Sequence, residues 1–114
     1  MAQMVPLTLL GTTPCAPIKL IDSTILRIWM PAVWDTANLA VEECPNDVGD
    51  FQPTYDDEGQ QYLITAAASR MIRVRETNFQ HARWVRFYST NAQLATRTLN
   101  VQVVLIRELV WAGN

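Results

Sequence analysis

Apolar and polar residues alternate along several short stretches of this chain, which is the period of a half-buried β-strand. The clearest stretch is Arg83 to Ser89, where Val85 and Phe87 alternate with polar or amphipathic neighbours. The second is Arg97 to Leu109, and from Val103 to Ile106 both of its faces are apolar, which predicts cover on both sides. Because the loop between the two stretches is short and polar, they are predicted to form a β-hairpin.

The other predicted strands are shorter and are separated by turn residues at a spacing of roughly ten positions. They lie at Val5–Leu10, Ile18–Ile21, Thr24–Met30, Leu39–Cys44, Phe51–Tyr55, Gln61–Thr65 and Arg70–Arg75. A hairpin turn is predicted at Asp56–Gly59, and the segment Glu76 to Ala82 is predicted to direct Phe79 inward. The pattern is typical of an all-β fold: one antiparallel β-sandwich, jelly-roll-like and of about eight strands, formed by residues 1–114 as a single domain.

Composition supports a folded domain and argues against several classes of partner. Hydrophobic residues make up 49% of the 114 residues and charged residues 18%, which excludes disorder and leaves apolar surface for a partner. The net charge of -2 lacks the basic excess that phosphate binding requires, so no nucleic acid is expected. No apolar run reaches the roughly 18 residues of a membrane span, and Met1–Leu10 has no basic region of a signal peptide, so no membrane is expected.

No group of residues has the spacing of a catalytic or metal site. His81 is the sole histidine, and no nucleophile motif accompanies it. The acidic residues before Gly59 do not follow the pattern of a calcium loop. We therefore expect no enzyme activity, no cofactor and no metal. Cys15 and Cys44 are expected to be free and buried, with a disulfide between them as the alternative.

Charged residues are distributed unevenly along the chain. Seven of the eleven acids lie between Glu42 and Glu58, and five of the nine bases lie between Arg70 and Arg86. In one interpretation, an acidic and a basic edge meet on neighbouring copies. In the other, which is favoured, both are ordinary solvated faces whose charges are paired within one molecule or unpaired, and each pair contributes about 1 kcal/mol or less. The interface candidates under the first interpretation are Asp56, Asp57, Glu58, Arg73, Arg75 and Arg86.

The chain has four tryptophans and three tyrosines, which is many for its length. Trp34 follows a turn and Trp111 lies in the C-terminal tail, and both are predicted in contacts between subunits, because a small domain buries such residues poorly. Trp29 and Trp84 lie within strands and could simply cover the sandwich; alternation places Trp29 on the same face as Ile25. Exposed rings could instead stack on sugars. The candidates for stacking are Trp34, Tyr55 and Tyr88.

Two stretches resemble known families. The run Ile28-Trp29-Met30-Pro31-Ala32-Val33-Trp34-Asp35, followed by the Leu39–Glu43 strand and the Asp56–Gly59 turn, resembles small virion proteins of tailed bacteriophages. That resemblance implies a structural role, such as a capsid decoration (cement) or head-accessory subunit. The stretch Ala82–Ser89 resembles a strand of galactose-binding-like jelly-roll sandwiches, which implies a sandwich fold and a glycan as ligand.

The leading hypothesis is therefore a non-enzymatic bacteriophage virion protein that acts through protein–protein contacts. It would be assembled into the virion in the host cytoplasm, with the major capsid protein or other virion proteins as partners, and would form homo-oligomers. The alternative hypothesis is a carbohydrate-binding β-sandwich module.

Overall fold

The computed structural model describes residues 3–46 and 49–112, but not the side chains of residues 76 and 110–112. The described residues form nine strands. The strands are β1 (Gln3–Gly11), β2 (Ile18–Lys19), β3 (Ser23–Trp29), β4 (Leu39–Cys44), β5 (Gln52–Pro53), β6 (Leu63–Ile64), β7 (Met71–Arg73), β8 (Trp84–Ser89) and β9 (Gln93–Leu105). A 3-10 helix spans Glu76–Asn78, and the helix α1 spans Ile106–Ala112.

The strands form two antiparallel sheets that bury their apolar faces against each other. The first sheet has the order β1-β9-β3-β7, and the second has the order β2-β8-β4-β5, with β6 also paired to β4. The core side chains come from both sheets and include Leu7, Ile25, Ile28, Leu99 and Val101 from the first and Leu39, Val41, Val85 and Phe87 from the second. The all-β, antiparallel sandwich predicted from the alternation is confirmed.

The predicted hairpin between the two longest stretches is wrong, because β8 and β9 belong to different sheets. Strand β8 pairs with β4 and β2, whereas β9 pairs with β1 and β3. Alternation shows only that each strand buries one face, and two strands on opposite sides of a core satisfy it as well as a hairpin does. The chain crosses from the second sheet to the first between β8 and β9, and buried side chains hold this crossing. The Gln93 amide donates a hydrogen bond to Ser89 Oγ (3.1 Å), and that hydroxyl donates to the Asn91 carbonyl.

Strand β9 also ends earlier than predicted, because its neighbours end. Its last pairs are Gln3 with Val103 on one side and Ser23 with Leu105 on the other. Beyond them the described residues provide no strand to accept backbone hydrogen bonds, and the chain continues as α1 from Ile106, whose N–H donates to the Asp22 carbonyl (2.9 Å). Val103 and Val104 are both buried, so the predicted cover on both faces is confirmed there.

Both cysteines are buried and free, as expected. The backbone N–H of Phe87 donates a hydrogen bond to Cys15 Sγ (3.3 Å), which ties the loop after β1 to β8. Burial raises the pKa of the Cys15 thiol, so the neutral form is favoured. Cys15 therefore acts as a small apolar core residue.

Phe79 points into the core from the segment after the 3-10 helix, as predicted, and it is fully buried. Its ring is tilted against Tyr62 and Phe87, with centroid distances of 5.9 and 6.1 Å. These three rings attach the segment that carries Asn78 to the hairpin between β5 and β6. That arrangement positions the groove described below.

Candidate functional site

The first sheet exposes one face to solvent, and the strand register defines which residues lie on it. Two neighbouring cross-strand rows form this surface, here called the open face: Pro6, Asn100, Trp29 and Met71 in one row, and Met4, Gln102, Arg27 and Arg73 in the other. The intervening residues of the same strands, such as Val101 and Ile28, point into the core. The open face is therefore a continuous surface across all four strands of the sheet.

Large apolar side chains are exposed on the open face. The exposed fractions are 48% for Met4, 37% for Trp29 and 42% for Met71. Arg27 is held in place by its hydrogen bond from Nη1 to Gln102 Oε1 (2.8 Å), while Arg73 is exposed. None of the eight residues is acidic. A mixture of tryptophan, methionine and arginine is enriched in protein–protein interfaces relative to other protein surfaces.

The outer face of the second sheet differs from the open face, because its basic side chains have partners within the molecule. Arg86 forms an ion pair with Glu42 (Nε to Oε1, 2.6 Å), and its guanidinium lies 4.2 Å from the centre of the Phe51 ring. Lys19 Nζ similarly lies 5.9 Å from the Trp84 ring centre. Arg86, one of the interface candidates, is thus paired with an acidic residue of the same molecule.

The other charged candidates lie on turns and on the edge of the first sheet. Asp56 caps its own turn: Oδ1 accepts hydrogen bonds from the N–H groups of Glu58 (2.9 Å) and Gln60 (2.8 Å). The predicted hairpin turn is confirmed by a Tyr55–Gln61 bridge around it. The acidic side chains of the turn, at positions 56–58, and the basic side chains at positions 73 and 75 are all exposed. Among the described side chains no ion pair joins these two groups.

Of the two tryptophans predicted at interfaces, only Trp34 has a described side chain. Trp34 is half-buried against the core, and its indole N–H donates to the Ala37 carbonyl (3.1 Å). It therefore has a packing role within the chain. The side chain of Trp111 lies outside the described part of the structure. The large aromatic residue of the open face is instead Trp29, which sequence reasoning assigned to the cover of the sandwich.

A polar cluster beside Trp34 attaches the loop before β4 to the start of β9. Asp35 Oδ2 accepts hydrogen bonds from Arg97 Nη2 (3.0 Å) and from the Leu94 N–H (2.8 Å). The buried Gln93 amide accepts from the Asp35 N–H (2.9 Å) and donates to the Asp35 carbonyl (2.7 Å). This cluster was not predicted from the sequence, because Gln93 lies in the predicted polar loop. Its members lie close to 60 residues apart in sequence.

The Asp35 cluster predicts a pH-dependent stability. The hydrogen bond from the Leu94 N–H and the one from Arg97 lower the pKa of Asp35 below its ordinary value of 3.8. Because this pKa is lower in the folded state, the stabilisation is present above the unfolded-state pKa and is lost as the pH falls through the native pKa. Asp35→Asn should therefore lower the free energy of unfolding at about pH 7 and have a smaller effect near about pH 2.

Urea unfolding at both pH values measures this difference between the wild type and the variant. The control is Asp57→Asn, at an exposed turn position, which should unfold like the wild type throughout. A destabilisation by Asp35→Asn that is equal at both pH values would contradict the assignment to the carboxylate.

A groove of about 300 Å³ lies beside the hairpin between β5 and β6. Its lining consists of Thr54, Tyr55, Asp56, Gln60, Gln61, Tyr62, Leu63 and Asn78. The groove thus joins the two arms of the hairpin to the end of the 3-10 helix. Of the three predicted stacking residues, only Tyr55 lines it.

The described residues contain neither a metal-binding cluster nor a membrane-spanning helix. His81 is exposed, and no group of three or more His, Cys, Asp or Glu residues in the described part is close enough to hold a metal ion. Within residues 3–46 and 49–112, no helix has the length and apolar character needed to cross a membrane.

Comparisons with protein-family models, curated proteins and solved structures find no significant match to this chain.

Proposed function

We propose that this protein is a non-enzymatic structural subunit of a virion, a capsid decoration or head-accessory protein that docks through the open face of its first sheet. The observation that carries the proposal is the exposure of Trp29, Met4 and Met71 beside two arginines on one continuous surface. The virion setting is supported by the resemblance of residues 28–35 and the following strand to small tailed-phage virion proteins.

The charge of the open face defines the chemistry of the partner. Arg27 and Arg73 face each other across β3 and β7, and no acid lies in either row. Two copies packed face to face about a twofold axis would bury the arginines of both copies in an interface whose rows contain no acid, which costs free energy. The partner surface is therefore apolar and bordered by carboxylates. We assign it to a shell protein of the particle.

The free edge of the first sheet is less suited to docking than its face. Strand β1 is nine residues long and lies at the edge, where another chain could add as a strand. Pro6 lies in the middle of β1 and has no N–H, so an added strand would lack a central hydrogen bond. Contacts through the side chains of the open face do not have this cost.

Particle incorporation tests the proposal. Wild-type protein, Trp29→Ala and Arg73→Glu are produced in infected host cells, and peptide mass spectrometry counts copies on gradient-purified particles. We expect tens or more copies of the wild type per particle. Each variant should reduce the count by about tenfold or more, because central aromatic and arginine anchors dominate binding energy. Arg73 is exposed, so its substitution leaves the fold intact.

The matched control is Leu63→Ala, an exposed apolar residue on the second sheet, which should be incorporated like the wild type. Absence of the wild-type chain from particles would remove the virion proposal. Wild-type copy numbers for both open-face variants would show that a different surface docks. Sedimentation of the isolated protein should give a monomer if the shell is the partner, and a concentration-dependent dimer would identify a second copy instead.

A further inference from the structure

The groove beside the β5–β6 hairpin has a defined shape before any ligand binds. The two arms are joined by hydrogen bonds from the Tyr62 N–H to the Thr54 carbonyl (2.9 Å) and from the Asp56 N–H to the Gln60 carbonyl (2.8 Å). The Tyr62 ring is held in place by its contact with the ring of Phe79, which is buried. A ligand therefore needs little reorganisation of the protein on binding.

The polar groups of the groove are aligned by hydrogen bonds to neighbouring side chains. Asn78 Nδ2 donates to Tyr62 Oη (3.2 Å), which leaves the tyrosine O–H as a donor and Asn78 Oδ1 as an acceptor. Gln61 Nε2 donates to Tyr88 Oη (3.0 Å), which leaves Gln61 Oε1 as an acceptor. Burial raises the pKa of Tyr62 above its ordinary value of 10.0, and the protonated hydroxyl can donate a hydrogen bond to a ligand oxygen.

The lining excludes several classes of ligand. It contains no lysine, arginine or histidine, and its one charged residue is Asp56, so phosphates and carboxylates would be repelled. An apolar ligand would bury amides and hydroxyls without partners, which costs free energy. A neutral ligand with many hydroxyl groups has the donors and acceptors that this lining needs.

An exposed aromatic ring at the groove provides the apolar part of the site. Tyr55 is 57% exposed, although it lies in the middle of an ordered hairpin. The C–H face of a pyranose ring stacks on such a ring, while its hydroxyls bond to the amides around it. A volume of about 300 Å³ is at the small end of ligand sites and fits one or two sugar rings.

We propose that this groove binds a neutral saccharide, with Tyr55 as the stacking residue and with Gln61, Tyr62 and Asn78 as the hydrogen-bonding residues. The site lies at the hairpin between β5 and β6, and none of its lining residues belongs to either row of the open face. A particle-bound copy would thus dock through the open face and present a sugar site elsewhere on its surface. The saccharide site differs from the one predicted from sequence, since Trp34 packs against the core and Tyr88 supports Gln61.

The test is a titration of the ¹⁵N-labelled protein with methyl glycosides of glucose, galactose, mannose, rhamnose and N-acetylglucosamine, followed by NMR. At concentrations up to about 50 mM, at least one sugar should shift the side-chain amide signals of Gln60, Gln61 and Asn78 in a saturable way. Tyr55→Ala should weaken this binding about tenfold, and Tyr55→Phe should retain it, because the ring and not the hydroxyl stacks.

Two controls separate the site from general effects. Val33→Ala, at an exposed apolar position outside the groove, should bind like the wild type. Glycerol at the same concentration has hydroxyls but no ring and should not shift the amides. The proposal is overturned if none of the five sugars shifts these signals, if Tyr55→Ala binds like the wild type, or if glycerol acts like the sugars. None of these outcomes depends on particle incorporation, so the docking proposal is tested separately.

Discussion

Replacing Phe79 with alanine is expected to lower the free energy of unfolding by about 3–5 kcal/mol. The side chain is fully buried and contacts the rings of Tyr62 and Phe87, so its removal leaves a cavity between the second sheet and the segment after the 3-10 helix. A domain of this size has a total stability of about 5–15 kcal/mol, so the loss is a large fraction of it. Urea unfolding followed by circular dichroism measures the change.

Two further variants show whether burial is the cause. Phe79→Leu keeps most of the apolar volume and should lose less stability than the alanine variant. Leu94→Ala removes a side chain that is 85% exposed and should change the stability by about 0.5 kcal/mol or less. A loss for Phe79→Ala that is as small as that for Leu94→Ala would contradict the position of Phe79 in the core.

Gln93→Leu is expected to lower the free energy of unfolding by about 2–3 kcal/mol. The leucine side chain has a similar size but cannot form the hydrogen bonds that the amide makes to the Asp35 backbone and to buried Ser89 Oγ. Unpaired polar groups would then remain at the crossing between β8 and β9. The same urea unfolding experiment measures the effect.

The control for this variant is Gln52→Leu, which makes the same change at an exposed position of β5. It should leave the stability within about 0.5 kcal/mol of the wild type. If both substitutions cost the same, the hydrogen bonds of Gln93 do not hold the crossing. Other contacts would then have to hold the loop 90–92 in its path between the two sheets.

Local signals in the sequence were sufficient for the positions of several elements. Strand β8 lies at Trp84–Ser89, against a predicted Arg83 to Ser89, and the Asp56–Gly59 turn lies where it was predicted. Period-two alternation and turn residues depend on neighbours only a few positions apart. For the same reason the inward direction of Phe79 could be predicted from its setting among polar residues.

The candidate site was less predictable, because its residues are brought together by contacts between distant parts of the chain. The register between β3 and β9 shifts by one residue between Ile25 and Arg27. Ile25 and Ile28 therefore both point into the core, while Trp29 lies on the open face, opposite to the side that Ile25 occupies. Simple alternation had placed Ile25 and Trp29 on one face, and no local signal marks the irregularity.

The class of fold, the approximate strands and the main turns could be predicted from the sequence, because these follow from local periodicity and local backbone preferences. The tertiary structure was needed to establish which strands pair, since alternation is the same for a hairpin and for two strands in opposite sheets. It also decided the open face and the groove, whose residues come from several strands and from the 3-10 helix. Pairing and register depend on packing across the whole core, which no short stretch of sequence contains.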